Sequence, residues 1–346
     1  MLKRALVTGI TFEGKTATGI KCQIKGRTKT FAATREVILC AGAIGSPQLL
    51  QVSGVGPKTV LNKAGIEMVH ELPGVGENLQ DHLEFNFQYN CKQPISLNGS
   101  LGLFSKALIG LRWLLFKTGL GRSNHFESCA FIRSRAGVKW PDIQYHFLPG
   151  AVTYDGSVAF KGHGFQVHVG HNKPTSRGHV HALSGDIKQH PEILFNYLQT
   201  EHDRQGFRDC VHLTREIMRQ PAMDAFRGDV IQPAPQVQTD EQIDAFVRES
   251  VDSAYHPAGT CKIGADKMAV VDKDLRVHGI ANLRVIDSSV FPTVPNGNLN
   301  APTMMLAERG ADLIKGCDIK PSSRADSYTD KQWPERQKEG IPLRPA

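Results

Sequence analysis

The sequence predicts a mixed α/β and α+β architecture in two parts, the first of them discontinuous along the chain. Three features carry this. The chain opens with β-prone runs that lead through a glycine turn into a helix, its character changes after a glycine-rich loop ending at His82, and the strand-then-helix style returns from Ser253. The expected boundaries are 1–82, 83–252 and 253–316, with 317–346 as a tail.

Taken in order, Ala5 to Phe12, Gly19 to Ile24 and Phe31 to Leu39 are β-prone and separated by the turn-formers Gly14 and Gly26. Val37-Ile38-Leu39 is a short apolar run of the kind covered on both faces. A helix is expected from Ser46, ended by Gly54, Gly56 and Pro57. In the second part, Phe207 to Met218 sets Phe207, Val211, Thr214 and Met218 along one helical side. Thr239 and Gln242 form a capping box, followed by Ile243, Phe246, Val247 and Val251 at helical spacing. The tail is charged, proline-bearing and poor in apolar residues, so disorder is expected there.

Composition narrows the function classes. Of 346 residues, 40% are hydrophobic and 22% charged, an ordinary globular balance. The formal charge of +7 suits an anionic cofactor, an acidic membrane surface or nucleic acid. Basic residues are scattered rather than clustered, which argues against nucleic acid. The seven cysteines form no Cys-x-x-Cys pair, so neither a disulfide framework nor a cysteine zinc site is expected; most should be small buried hydrophobes. No apolar stretch is long and uncharged enough to span a bilayer.

The most specific string runs from Gly42-Ala43-Ile44-Gly45-Ser46-Pro47 to Ser53-Gly54-Val55-Gly56. Glycines at a strand end followed by a helix start let backbone N–H groups approach a ligand, with the helix end adding partial positive charge. Glycine spacing alone also allows a plain strand–helix connection. The whole string, however, resembles a signature of the glucose-methanol-choline (GMC) oxidoreductase family, and the resemblance extends over residues 1 to about 316. It implies a partial FAD-binding domain of GMC type beside a substrate domain with an antiparallel sheet and flanking helices. Val7 lies in a strand resembling the one that contacts adenine, and Gly74 to His82 resembles the loop that closes over the flavin. Gly42, Ser46, Asp287 and Ser288 match positions beside the cofactor, the last two in Arg284-Val285-Ile286-Asp287-Ser288-Ser289. Asn300 and Pro302 lie in the segment resembling the one that opens the last helix beside the isoalloxazine ring.

His256, in Ser253-Ala254-Tyr255-His256-Pro257-Ala258-Gly259-Thr260, is the key chemical residue. Pro257 restricts it to extended backbone. Imidazole titrates nearest neutrality and can accept an alcohol proton, although a histidine before proline can equally be structural. The resemblance implies a catalytic role. It also implies that Asn298 holds the substrate oxygen, where the bland reading is a turn asparagine like that of Asn296-Gly297. An asparagine there resembles the choline-oxidising branch. Glu127 matches a glutamate placed against a trimethylammonium group, where the alternative is a surface glutamate, with Phe126 adding cation–π attraction. His146 matches a substrate-positioning histidine or is an ordinary strand histidine. The implied reaction is FAD-dependent oxidation of a primary alcohol, choline to betaine aldehyde, with a quinone-linked electron acceptor. The alternatives are another alcohol substrate of the same family, or a truncated product with no activity.

His163, His168, His171, His179 and His181 raise a metal reading, but no carboxylate or cysteine joins them at a known ligand spacing, and no metal is expected. No Gly-x-Ser-x-Gly elbow supports a serine hydrolase. Leu101 to Leu120 is rich in Leu, Ile, Phe and Trp113, with Ser105, Lys106, Arg112 and Lys117 in one helical arc. That suits a helix on a membrane surface and nearly as well a lid or buried helix. The family resemblance adds an expectation of mitochondrial inner-membrane association. Finally, no Gly-x-Gly-x-x-Gly ends an opening strand. The expectation is therefore that Met1 is an internal start, a fragment boundary or the product of an alternative transcript, and that the nucleotide-binding motif precedes it.

Overall fold

The first strands follow from local turn chemistry. β1 (Ala5–Glu13) and β2 (Thr16–Ile24) pair antiparallel, and β3 (Arg27–Ala32) adds to β2. Between β2 and β3, Lys25 and Gly26 both take positive φ, 48° and 76°. That is the geometry of a tight hairpin turn whose twist matches the strands. The computed structural model describes residues 1–126, 128–152, 162–317, 331–335 and 337. The chain forms two compact units. The first is Met1–His82, Pro174–Gln199 and Tyr255–Ala325; the second is Leu83–Lys173, Thr200–Ala254 and Asp326–Ala346.

In the first unit, β4 (Val37–Leu39) leads into α1 (Gly42–Val52), which begins before the Ser46 start expected from sequence. Asp287 is the reason, as its carboxylate holds the Gly42 amide and stands in for a local cap. β4 is also not covered on both faces. Val37 and Leu39 are buried, but Ile38 is 39% exposed because its side borders an open cleft. β5 (Val55–Gly56) and β6 (His70–Glu71) pair in parallel around α2 (Lys58–Lys63).

The second unit begins with β7 (Leu83–Cys91), followed by α3 (Leu103–Phe116), β8 (Ser128–Ile132), β9 (Ile143–Leu148) and β10 (Gly164–His171). Residues 174–199, expected within the second part, cluster instead with the first unit. They carry the hairpin β11 (His179–His181) and β12 (Glu192–Leu194). Buried Gln51 on α1 explains the placement: it donates to the Val180 carbonyl at 2.9 Å and accepts from the Ala182 amide at 2.6 Å.

The second unit resumes with α4 (Glu201–Met218), β13 (Arg227–Gln232), α5 (Asp240–Ser250) and β14 (Asp252–Ser253). Its antiparallel sheet runs β13-β7-β10-β9-β8 among the described residues, with β14 also on β7. Phe207, Val211, Thr214 and Met218 are all buried on α4, and the Thr239–Gln242 capping box opens α5. The chain closes in the first unit with β15 (Leu283–Val285), parallel to β4, and α6 (Asn300–Lys315). The core of that unit gathers Ile10, Leu39, Leu50, Val55, Val271 and Val285.

Cys22, Cys210 and Cys261 are buried, whereas Cys40, Cys129 and Cys317 are exposed, so the burial expected for most cysteines holds for only some. Most of the tail expected to be disordered lies outside the described residues. Trp333, within it, accepts from the Gly137 amide at 2.8 Å.

Candidate active site

The parallel pair β4–β15 ends in two turns that meet. Asp287, just past β15, accepts from the Gly42 amide at 2.9 Å and from the Ser46 hydroxyl at 2.6 Å through one carboxylate oxygen. Its other oxygen accepts from the Ser289 amide at 2.8 Å. Ser46 Oγ in turn accepts from the Ala41 amide at 3.1 Å. Gly42 sits at φ 77°, a conformation other residues rarely adopt, so the chain can reverse directly from strand to helix. The next amides of α1 have no intrahelical acceptor and form an anion-favouring end. They border a cleft of about 640 Å³ lined by Val7, Phe31, Ile38, Cys40, Ala41 and Gly45 among others. Burial first, and then the Asp287 carboxylate, push the Cys40 thiol above its ordinary range.

His256 is tied to the same framework. Ser288 Oγ donates to the Pro257 carbonyl at 3.2 Å, and the Cys261 amide donates to the Ser289 carbonyl at 2.8 Å. The loop Gly74–His82 supplies the other support. Asp81, 4% exposed, accepts from the His256 backbone amide at 2.9 Å and from the Tyr197 hydroxyl at 2.7 Å. Gln80 and Ala258 exchange backbone hydrogen bonds at 3.0 and 2.9 Å. His82 meets the catalytic candidate directly, Nδ1 to Nδ1 at 3.1 Å, with ring planes 84° apart. Such a contact needs one donor and one acceptor. Only if His256 donates does its own Nε2 carry a lone pair able to accept a proton.

Tyr255, immediately before, is a non-glycine residue at φ 60° and 76% exposed, a costly backbone state held by these contacts. Gly259 at φ 93° packs so closely that a side chain would meet Asn78 O at 2.7 Å and Gln80 Nε2 at 2.8 Å.

Asn298 is exposed and half-buried His256 is not adjacent to it in sequence, but their neighbours pack together. Ala258, Val294 and Leu299 form one small buried cluster with Phe291 against it. Asn300 and Pro302 stand in the first turn of α6, which has no acidic residue there and no side-chain cap.

In the second unit, His146 on β9 lies opposite His168 on β10 and opposite Cys129 on β8. Phe126 sets its ring edge-on to both histidines, with centroids 6.2 Å and 5.7 Å away. Glu84 pairs with His168 Nδ1 at 3.0 Å, and Gln144 Nε2 contacts His146 Nε2 at 2.9 Å. Burial pulls the His146 pKa down, Glu84 opposes this, and His168 adds to it. Glu127 lies outside the described residues. Sequence reasoning assigned no role to Asp81, His82, Tyr197 or Glu84. The signals for Asp81 and His82 were the resemblance of Gly74 to His82 to a flavin-covering loop and an unusually polar string, Glu77-Asn78-Leu79-Gln80-Asp81-His82, leading into an apolar strand.

Residues 1–84 and 174–307 match the two family models described as GMC oxidoreductase. The chain is 59% identical over 346 residues to a protein named oxygen-dependent choline dehydrogenase from Vibrio vulnificus, covering 99% of this chain and 62% of that protein. It is 58% identical to a protein of the same name from Photobacterium profundum, covering 99% and 61%. The chain thus spans about three fifths of the length of these curated relatives. Among solved structures it resembles pyridoxine 4-oxidase from Mesorbium loti, with TM-score 0.78, 28% identity, and 91% and 58% of the two chains covered. It shares its fold with a formate oxidase from Aspergillus oryzae RIB40, with TM-score 0.84, 23% identity, and 90% and 60% covered. These relatives bear out the mixed fold with its antiparallel sheet and helices. The family matches begin at residue 1 and do not support the expectation of a missing nucleotide-binding motif. The choline dehydrogenase relatives come from Vibrio, Photobacterium and Serratia, which overturns the mitochondrial expectation: this is a bacterial type of sequence.

Proposed function

Because the chain belongs to the GMC oxidoreductase family, we propose that it serves FAD-dependent oxidation of a primary alcohol, with choline as substrate and betaine aldehyde as product. One observation carries this reading. The Asp287–Ser289 turn is hydrogen-bonded on one side to the start of α1 and on the other to the segment directly after His256. A cofactor held at the first and a proton acceptor carried by the second are thereby built on one framework.

The residues present fit FAD. Gly42 keeps the start of α1 free of a side chain, the amides behind it favour a phosphate, and the adjoining cleft, bordered by Val7, has the volume of a cofactor site. Ser46, Asp287 and Ser288 shape that turn, and Asn300 and Pro302 open a second helix end. FAD, when bound, supplies the acceptor for the hydride that leaves the alcohol carbon. His256 takes the hydroxyl proton at Nε2 while His82 holds its Nδ1 proton. Asn298 donates to the substrate oxygen. Glu127 balances the trimethylammonium charge, and Phe126 and His146 line the cation's surroundings. The electron acceptor is a quinone on the sequence reading, whereas the relatives' names read oxygen-dependent. Parallel assays with a soluble quinone and with an oxygen electrode separate the two.

Membrane contact is the second part of the proposal. α3 buries none of its residues, and Leu103, Phe104, Leu114, Leu115 and Phe116 are each more than half exposed. Lys117 lies 4.2 Å over the Trp113 ring at its end. Exposed apolar side chains with cations beside them suit a helix lying in a lipid interface. No helix among the described residues is long and apolar enough to cross a membrane.

The test is flavin content and substrate preference of the purified protein. Stoichiometric flavin absorbance with choline turnover supports the assignment. A Glu127→Gln variant that keeps the same preference for choline over its neutral, carbon-for-nitrogen analogue removes the substrate part. Turnover unaffected by His256→Ala removes the mechanism.

A further inference from the structure

We propose that His179, His181 and Glu192 form a binding site for one divalent transition-metal ion of the zinc type. The strand period places the first two together, since residues two apart on β11 share a face. Their rings stack with centroids 3.8 Å apart and planes 12° apart. Glu192 lies directly across the hairpin from His181 in the β11–β12 register. Glu77 reaches in from the Gly74–His82 loop, with Oε1 2.7 Å from His181 Nε2.

One ligand atom each from His179, His181 and Glu192 lies within 4.8 Å of the others. His179 Nε2 is the most telling. It is a buried atom without a hydrogen-bond partner among the described residues, and Glu192 Oε2 stands 3.7 Å away, too far to satisfy it. Two imidazoles and one carboxylate match the three-ligand nitrogen and oxygen set that zinc takes with a water in the fourth position, with bonds of about 2.0–2.2 Å. Reaching those bonds needs the His181–Glu77 contact to open and the other groups to draw in. The three ligands and Glu77 are partly exposed, between 21% and 48%, and so can rotate.

The ion would act as a clip. It joins the two strands of the hairpin, which the Val180 amide already ties to the Gly76 carbonyl at 2.7 Å. Two independent histidine–glutamate ion pairs would make the same contacts without any ion, and the experiment separates these readings. A second histidine cluster, His171, His202 and Asp203 in the other unit, provides the control.

The protein is stripped with chelator and titrated with Zn²⁺ by calorimetry, and with Co²⁺ while following visible absorption. One equivalent is expected to bind the group, with the visible bands of low-coordinate Co²⁺ and a raised melting temperature. His179→Ala and His181→Ala are expected to weaken that binding at least about tenfold and to abolish the metal-dependent rise in melting temperature. His202→Ala is expected to change neither. Circular dichroism of the stripped variants confirms that they fold. Absence of saturable binding, affinity in His179→Ala and His181→Ala equal to that of the parent, or loss of binding in His202→Ala overturns the assignment.

Discussion

His82 and His256 meet through their Nδ1 atoms at 3.1 Å, edge to face, although 174 residues separate them in the chain. The contact makes the tautomer of the proposed base depend on its neighbour. Replacing His82 with Ala removes this partner of His256 Nδ1 and weakens the hold on its tautomer. The expected result in the flavin-loaded protein is a fall in kcat of about tenfold or more, within the range of general-base effects, with a shifted lower limb of the pH–rate profile. His256→Ala should cost about 10²–10⁴-fold in kcat. A merely structural His82 would leave the pH profile in place, and His82→Asn, which keeps a hydrogen-bonding group, should recover part of the rate.

Asp287 gives the second prediction. The family resemblance places it near the cofactor, yet its carboxylate already serves the Gly42 amide, the Ser46 hydroxyl and the Ser289 amide. It is 6% exposed, so removing it strands buried donors. Asp287→Ala should lower stability by roughly 2–4 kcal/mol in urea unfolding and lower flavin retention with it. Asp287→Asn keeps one oxygen acceptor and should cost less. Equal stability of Asp287→Ala and the parent would show that the turn does not depend on this carboxylate.

These two relationships mark the limit of what the sequence discloses. The capping box at Thr239 and Gln242 and the buried stripe of α4 are local patterns, and both stand as expected. The start of α1 is not local, because its supporting carboxylate comes from 245 residues away. The exposure of Ile38 likewise depends on which strands flank β4. The family string singled out the Gly42–Ser46 turn and the His256 arm as candidates. It could not disclose that Asp81 grips the backbone of His256, because a polar loop residue looks the same whether it faces water or an amide.

Gly259 allows a test of that packing without touching the chemistry. Its φ of 93° is strained for any side chain, and a methyl group would meet Asn78 O and Gln80 Nε2 at under 3 Å. Gly259→Ala should destabilise by more than about 1 kcal/mol and loosen the His256 arm against the loop. The expected signature is faster amide exchange at Gln80 and Ala258, whose backbone bonds join the two segments. Unchanged exchange at both would mean that the arm is held elsewhere.

The exposed face of α3 is tested on vesicles. Because none of its residues is buried, Leu114→Glu and Phe116→Glu should leave thermal stability within about 0.5 kcal/mol of the parent. Both should reduce co-sedimentation with anionic phospholipid vesicles several-fold, since each removes apolar surface and adds repulsion. Loss of stability without loss of vesicle binding would point instead to a helix packed against protein.

His146 links the antiparallel sheet of the second unit to pH. Burial lowers its pKa below the ordinary histidine value, partly opposed by Glu84 and reinforced by His168. The unfolded chain therefore takes up this proton at a higher pH than the folded chain does. The sign follows: the contribution is fully present above the ordinary value of about 6.5 and is lost as pH falls through that value toward the lower folded pKa. Urea midpoints measured from pH 8 downward should decline across this window in the parent. In His146→Gln, which retains a partner for Gln144 but cannot take up a proton, the decline should be shallower. Parallel declines in the two proteins would show that other groups carry the acid sensitivity and that His146 titrates as it would in water.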